Sequence, residues 1–355
     1  MSFSYLPTEL ILMILNIFAT HKEPWLLDLL SAAMVCRSWY AAAISLIKPD
    51  ELFRLVNYAG AKRIYPHRRR LAGLLEESKR HDLVFHRLIH RLVIDLLSFE
   101  ENNMVVAYAP SPVLRLVTSC PNIESLEIVY DAKFASMSGL IVDRLECLKN
   151  SVQYEKIRRL ELVGQDPIHR CPCCAGRGWD HLLCDFLGRL AIETLTLRQV
   201  IPSQAVFKTL SQSASLHHLV LYRSILEMPR TVDRAAISSL THIPQSFLRR
   251  IDTLEIYEDL EDCAIAWPAF RYFSELADAI GPLQTFLFEC SGDLSKENPL
   301  EYVNGLLLLA ERRSKSLRNM ILHHVPGIDE DMISRLLEYV DHLEVDSVSY
   351  SAHVK

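Results

Sequence analysis

Glycine is scarce, at 11 residues in a chain of 355. Backbone cradles for phosphate groups depend on glycine, and no glycine-rich loop of that kind is present. The chain also has no Gly-x-Ser-x-Gly elbow and no His-Glu-x-x-His pair. The doublets His217-His218 and His323-His324 fall on predicted strands, where neighbours point to opposite faces, so they make poor shared sites. No constellation for catalysis emerges, and the chain reads as non-catalytic.

A basic excess is missing as well. The net charge of −6 argues against a nucleic-acid backbone as partner. No uncharged apolar stretch reaches the ~20 residues a membrane span needs, so no membrane partner is expected. Even Gly305 to Ala310 stops at Glu311-Arg312-Arg313. The apolar run Leu10 to Thr20 has no basic leader and contains Asn16. Lys22 and Glu23 follow where a signal peptide would place small residues. The 9 cysteines are odd in number and mostly scattered singly through apolar context. They read as reduced thiols of an intracellular protein, in the cytoplasm, the nucleus or both.

What the chain does have is apolar substance. A hydrophobic share of 50% excludes a disordered chain, and 355 residues leave room for more than one domain. The segment from Leu6 to Phe18 reads as a helix. Pro7 suits a first turn, and Glu9 complements the positive N-terminal end. Leu10, Ile14 and Ile17 line one face, and Ile11, Leu15 and Phe18 line the next. A helix apolar nearly all round must be covered nearly all round. Either its own domain closes over it, as an ordinary helical hairpin would, or a membrane or a partner protein covers the remaining side.

A second helix is expected from about Trp25 to Met34. The ordered set Leu6-Pro7-x-Glu9-Leu10-x-x-x-Ile14-Leu15, then Asp28-Leu29-Leu30, then Val35-Cys36-Arg37-x-Trp39, resembles an F-box. The stretch Ala19 to Leu26 looks slightly longer than that family's usual link. The resemblance implies docking onto a Skp-family adaptor and, through it, onto a cullin-RING ubiquitin ligase. The adaptor-facing residues it implies are Leu6, Pro7, Leu10, Ile14, Leu15, Val35, Cys36 and Trp39.

Beyond it one short pattern recurs: aliphatic, two mostly polar residues, apolar, any, apolar. Its central anchors are Leu92, Leu126, Leu160, Leu195, Leu219, Leu254, Phe286, Met320 and Leu343. They step by 34, 34, 35, 24, 35, 32, 34 and 23 residues. Steps of this size signal a solenoid, and the alternation at the end of each unit predicts a half-buried strand. Helical spacing appears between strands, as in Leu140, Ile141, Leu145 and Leu148. It returns in Phe273, Leu276, Ala277 and Ile280. Leu306, Leu309 and Ala310 repeat it, as do Ile333, Leu336, Leu337 and Val340. Strand then helix, repeated, gives a parallel sheet with helices outside.

The pattern resembles an irregular leucine-rich repeat, closest at Leu116 to Leu126 with its Cys120-Pro121-Asn122. The asparagine ladder of regular repeats is mostly absent. The fold class expected is therefore α/β: an all-helical F-box at 1–47, a helical connector at 48–86 and a leucine-rich-repeat-like solenoid at 87–355. A globular α/β domain with similar strands is the other reading. The connector's basic run, Lys62-Arg63 and His67 to Arg70, reads as a solvated helix face or a nuclear localisation signal.

His169 to Gly178 breaks the pattern. Cys171-x-x-Cys174-x-Gly-x-Gly resembles half of a J-protein zinc repeat, and His181-x-x-Cys184 follows closely. On a helix from Asp180 to Leu190 the core stripe would be Leu183, Phe186, Leu187 and Leu190, which leaves His181 and Cys184 facing away from it. Cys171, Cys174, His181 and Cys184 are thus a candidate set for one structural zinc. An inserted surface loop with reduced thiols fits the same residues.

The favoured function is substrate receptor of a Skp–cullin–F-box ubiquitin ligase, with an unidentified protein as target. Between strand anchors, Arg198, Tyr222, Tyr257 and His323 are candidate target contacts, because large aromatics and arginine anchor interfaces. A scaffold that binds the adaptor without serving a ligase is the alternative. A zinc-dependent hydrolase around residues 169–184 is a more distant one.

Overall fold

Alternation builds the sheet. In the second unit the two apolar positions on either side of a strand's middle residue point the same way and are buried, as at Leu160 and Leu162 or Leu254 and Ile256. The computed structural model describes residues 6–20, 29, 31–46, 76–82, 87, 90–95, 120–130, 156–164, 184–185, 187–198, 200, 202, 204–222, 225–226, 237–238, 243–259, 269–291 and 298–352. The chain divides into two compact units. One comprises Met1–Tyr130 with Gly139–Ile157, the other Asp131–Ser138 with Arg158–Lys355.

The first unit opens with α1 (Thr8–Thr20) packed on α2 (Arg37–Leu46). Ile11 and Leu15 of α1 are fully buried, as are Leu29, Ala33, Ala42 and Ala43. The small alanines let the two helices approach closely. Strands β1 (Arg91–Asp95) and β2 (Ser125–Tyr130) pair in parallel, with Leu92 opposite Leu126. Asn122 donates its side-chain amide to the Arg87 carbonyl at 2.9 Å, tying one repeat to the one before it.

The second unit carries β3 (Arg159–Gly164), β4 (Thr194–Arg198), α3 (Gln204–Leu210), β5 (His218–Tyr222) and a short antiparallel pair, β6 (Ile225–Leu226) with β7 (Ile237–Ser238). Then come α4 (Gln245–Leu248), β8 (Thr253–Asp259), α5 (Ala269–Ala279), β9 (Thr285–Ser291), α6 (Pro299–Arg313), β10 (Asn319–His323), α7 (Glu330–Leu336), β11 (His342–Val345) and β12 (Val348–Ser351). Here β3, β4, β5, β8, β9, β10 and β11 lie side by side in that order, all parallel. The β6–β7 pair is therefore an insertion within a repeat, accommodated without disturbing the sheet order.

All nine sequence anchors occupy the second position of a strand, and in this unit they pair one to one: 160 with 195, 219, 254, 286, 320 and 343 in turn. The seven anchors of this unit are each 1% exposed or less. A backbone device repeats with them. The carbonyl just before each strand accepts two N–H groups from the entry of the next: Arg158 from Glu193 and Thr194, His217 from Asp252 and Thr253, Asp252 from Gln284 and Thr285. The strand entries are therefore hydrogen-bonded as well as the strands.

Helices cover one face. Phe273 of α5 meets Phe286 and Phe288 of β9 edge-on at 6.2 and 5.1 Å, and Tyr302 of α6 lies 6.2 Å from Phe288. Gly305 permits the close approach of α6 to α5, since a Cβ there would sit 2.8 Å from the Phe273 ring. Side-chain caps start two helices: Asn298 accepts from the Leu300 amide and Asp329 from the Met332 amide. The helical spacings read at 273–280 and 306–310 are buried as expected, while Ile333 and Leu337 are only half-buried. The spacing at 140–148 lies outside the described residues.

The sheet ends in a hairpin. Asp346 and Ser347 both have positive φ, 46° and 71°, which turns the chain tightly enough for β12 to run antiparallel to β11.

Candidate functional site

Two surfaces stand out, one in each unit. In the first, α1 turns Ile11 and Leu15 inward and leaves Leu10, Met13 and Ile17 outward, at 40%, 57% and 56% exposure. Their i, i+3, i+7 spacing places them on one stripe of the helix. Val35, in the turn before α2, is 59% exposed. Large apolar side chains on one short segment are costly to leave in water and mark a docking surface. The Trp39 indole nitrogen is buried and has no hydrogen-bond partner among the described residues.

In the second unit no helix covers the opposite face of the sheet among the described residues, and on this open face register arranges half-buried side chains in rows. Val163, Arg198, Tyr222, Tyr257, Glu289 and His323 form one row across β3, β4, β5, β8, β9 and β10. Arg198 pairs with Glu161 at 2.9 Å and lies 3.9 Å from the centroid of the Tyr222 ring. Tyr222 stacks on Tyr257 at 4.5 Å with an interplanar angle of 11°. The Tyr257 hydroxyl donates to Glu255 at 2.8 Å, and Glu255 meets His218 at 3.0 Å.

The charges follow from these contacts. The hydrogen bond from His218 lowers the Glu255 carboxyl below the usual range; burial opposes this and the Tyr257 hydroxyl assists it. Burial, with the Glu255 bond next, pushes the Tyr257 phenol up. The tyrosine stays protonated and keeps its ring in place. Arg198, Tyr222, Tyr257 and His323, singled out from the sequence, thus share one row. His323 stands two strands beyond Tyr257, within 4.0 Å of Glu344. Sequence reasoning missed Glu161, His218, Glu255 and Glu289. Their equivalent positions in successive repeats were the available signal. The two histidine doublets are not strand neighbours: His217 precedes β5 and His324 follows β10 with φ 55°.

Of the candidate zinc ligands, Cys171, Cys174 and His181 lie outside the described residues, and Cys184 is half-buried. Among the described residues no group of three His, Cys, Asp or Glu side chains is placed to hold a metal ion, and no helix is long and apolar enough to cross a membrane.

Residues 3–47 match the F-box-like family model. The chain carries an F-box-like domain. No curated protein matches the chain. Among solved structures, an N-terminally His-tagged D-allulose 3-epimerase from Methylomonas sp. with additional C-terminal residues aligns at 12% identity, over 64% of this chain and 90% of that one. The TM-score of that alignment is 0.22.

Within the F-box-like domain the residues named from the motif divide into two groups. Pro7, Leu10 and Val35 are exposed, and Leu6, Ile14, Cys36 and Trp39 are half-buried. Leu15 is 0% exposed and belongs to the domain's own core, because it faces α2 from one turn beyond Ile11. The exposed Met13 and Ile17 were not in the motif-derived set. Helical phase places them beside Leu10, and that phase was legible in the sequence. An F-box-like domain of this kind generally binds Skp-type adaptors.

Proposed function

We propose that the protein is the substrate-recognition subunit of a Skp–cullin–F-box ubiquitin ligase. The F-box-like domain docks the adaptor, and the repeats, an irregular leucine-rich-repeat solenoid, hold a target protein on their open face. The chain performs no chemistry itself; it raises the local concentration of target at the ligase. The observation that carries this reading is the F-box-like domain with Leu10, Met13, Ile17 and Val35 outward. The protein acts in the cytoplasm, the nucleus or both, and neither nucleic acid nor membrane is its partner.

Co-expression with a Skp-family adaptor and a cullin tests it. The wild type should yield a soluble complex containing both. Leu10→Asp with Met13→Asp should lose it while remaining folded, since both positions are exposed and a carboxylate there enters no core. Adaptor binding without cullin would favour a scaffold that serves no ligase. No adaptor binding at all would overturn both readings. For the segment around Cys171, Cys174, His181 and Cys184 the proposal is a structural zinc. Metal analysis of the purified protein decides it: one equivalent of zinc supports it, and none removes it.

A further inference from the structure

Tyr222 is held between two flat partners. Arg198 and the Tyr257 ring both lie within 4.5 Å of its centroid, so they occupy opposite faces, in the order that β4, β5 and β8 impose. Glu161 stands behind Arg198 at 2.9 Å. Read across the sheet, the stack is carboxylate, guanidinium, ring, ring. The next strand, β9, brings Glu289 into register with Tyr257. A mirror image of the stack would need one more group there: a cation lying on the outer face of Tyr257 and paired with Glu289.

The described residues supply none. Among the described residues Glu289 makes no hydrogen bond or ion pair, and Tyr257 has no second ring or cation on it. His323, the register neighbour of Glu289 on β10, stands instead near Glu344 at 4.0 Å. Glu161 and Glu255, in the neighbouring row, already have Arg198 and His218 as partners, and Glu289, the carboxylate in register with Tyr257, is left uncommitted.

We propose that the step between Tyr257 and Glu289 is a recognition slot for an arginine side chain of the bound protein partner. It deepens the ligase reading, on which the identity of the partner as a target rests. A guanidinium is planar, stacks on an aromatic face and can meet a carboxylate through two donors at once; a lysine ammonium is attracted to both groups only as a point charge, with no plane to stack and no fixed fork. The ring is set in advance, because Tyr222 fixes one face and the hydroxyl is tied to Glu255. Little freedom is then lost on binding. The chain's own Arg198 shows that the geometry accommodates the group.

The probe is a short alanine peptide with one central arginine, titrated into the full chain at low ionic strength. It is compared with the same peptide carrying citrulline, which keeps the shape without the charge, and with one carrying lysine. Arginine should bind about fivefold tighter than citrulline, the order that a half-exposed cation–π contact and ion pair supply together. The preference should vanish in Glu289→Gln and in Tyr257→Leu. Should Tyr257→Leu fail to fold, Glu289→Gln alone decides. No preference in the wild type, a preference that survives Glu289→Gln, or equal binding of lysine overturns the assignment. Adaptor binding, read separately by co-expression, should be unchanged in both variants. Its failure with the arginine preference intact would overturn the ligase reading and leave the slot standing.

Discussion

Truncation of one anchor in the middle of the sheet, Leu254→Ala, should destabilise the second unit by about 3–4 kcal/mol. Leu254 is 0% exposed and lies in register between Leu219 and Phe286. The change removes three carbon groups, worth about 2.4 kcal/mol of transfer free energy at ~0.8 each. The rest is the cavity, which neighbours locked in register close only in part. Thr196→Ala is the control. Thr196 sits on a strand of the same sheet but on the open face, half-exposed, and should change stability by no more than ~0.5 kcal/mol. Urea unfolding followed by circular dichroism reads both variants. The midpoint should fall for Leu254→Ala with an unchanged denaturant slope. Equal shifts, or a loss below ~1 kcal/mol for Leu254→Ala, would refute the assignment of faces on which the open-face row depends.

Three further outcomes follow from single contacts. The Glu255 carboxyl is depressed in the folded state, first by His218, so its stabilisation is present above the unfolded carboxylate value of ~4.3 and is lost as pH falls through the depressed one. Glu255→Gln should flatten that acid limb of the stability–pH curve, by less than ~1 kcal/mol because the group is half-exposed; an unchanged limb refutes it. Burial pushes the Cys120 thiol up to about 12, so it should resist alkylation at pH 8 until the protein unfolds, as mass spectrometry of pulse-labelled protein would show. Asp329→Ala removes the side-chain cap on the Met332 amide and should cost ~1 kcal/mol in urea unfolding, whereas Asp329→Asn should cost less.

The sheet was legible because its signal repeats. Nine anchors spaced along the chain predicted nine strands at the right positions, since each anchor must be apolar to fit beneath a helix and each repeat faces the same constraint. The β6–β7 insertion carries no anchor and was hidden inside a step of ordinary length. The closing hairpin was hidden too: its turn uses Asp346 and Ser347 rather than a glycine. On the open face the sequence pointed to Arg198, Tyr222, Tyr257 and His323 one at a time, by residue type. It did not show that Arg198, Tyr222 and Tyr257 form one continuous stack. That property belongs to register, which no single strand encodes. The split of α1 was partly legible. Its apolar content was plain, but which apolar side chains the small residues of α2 would cover was not, and so Leu15 was assigned outward and Met13 was passed over.

The two surfaces differ in kind, and under the proposed function that difference sets how each is used. Leu10, Met13, Ile17 and Val35 have no polar contact to offer a partner, so what they gain on docking is removal from water, and what they cost undocked is exposure. A surface of that type favours a standing partner, as the apolar interfaces of permanent complexes do. The open face is the reverse. Glu161, Arg198, Tyr257, Glu255 and His218 satisfy one another through hydrogen bonds, ion pairs and stacking, so the free state is already stable. Under that proposal a partner would compete on geometry, at the place where Glu289 is left over, and binding there would be reversible and selective. One end of such a chain would be occupied throughout its life in the ligase, while the other exchanges targets.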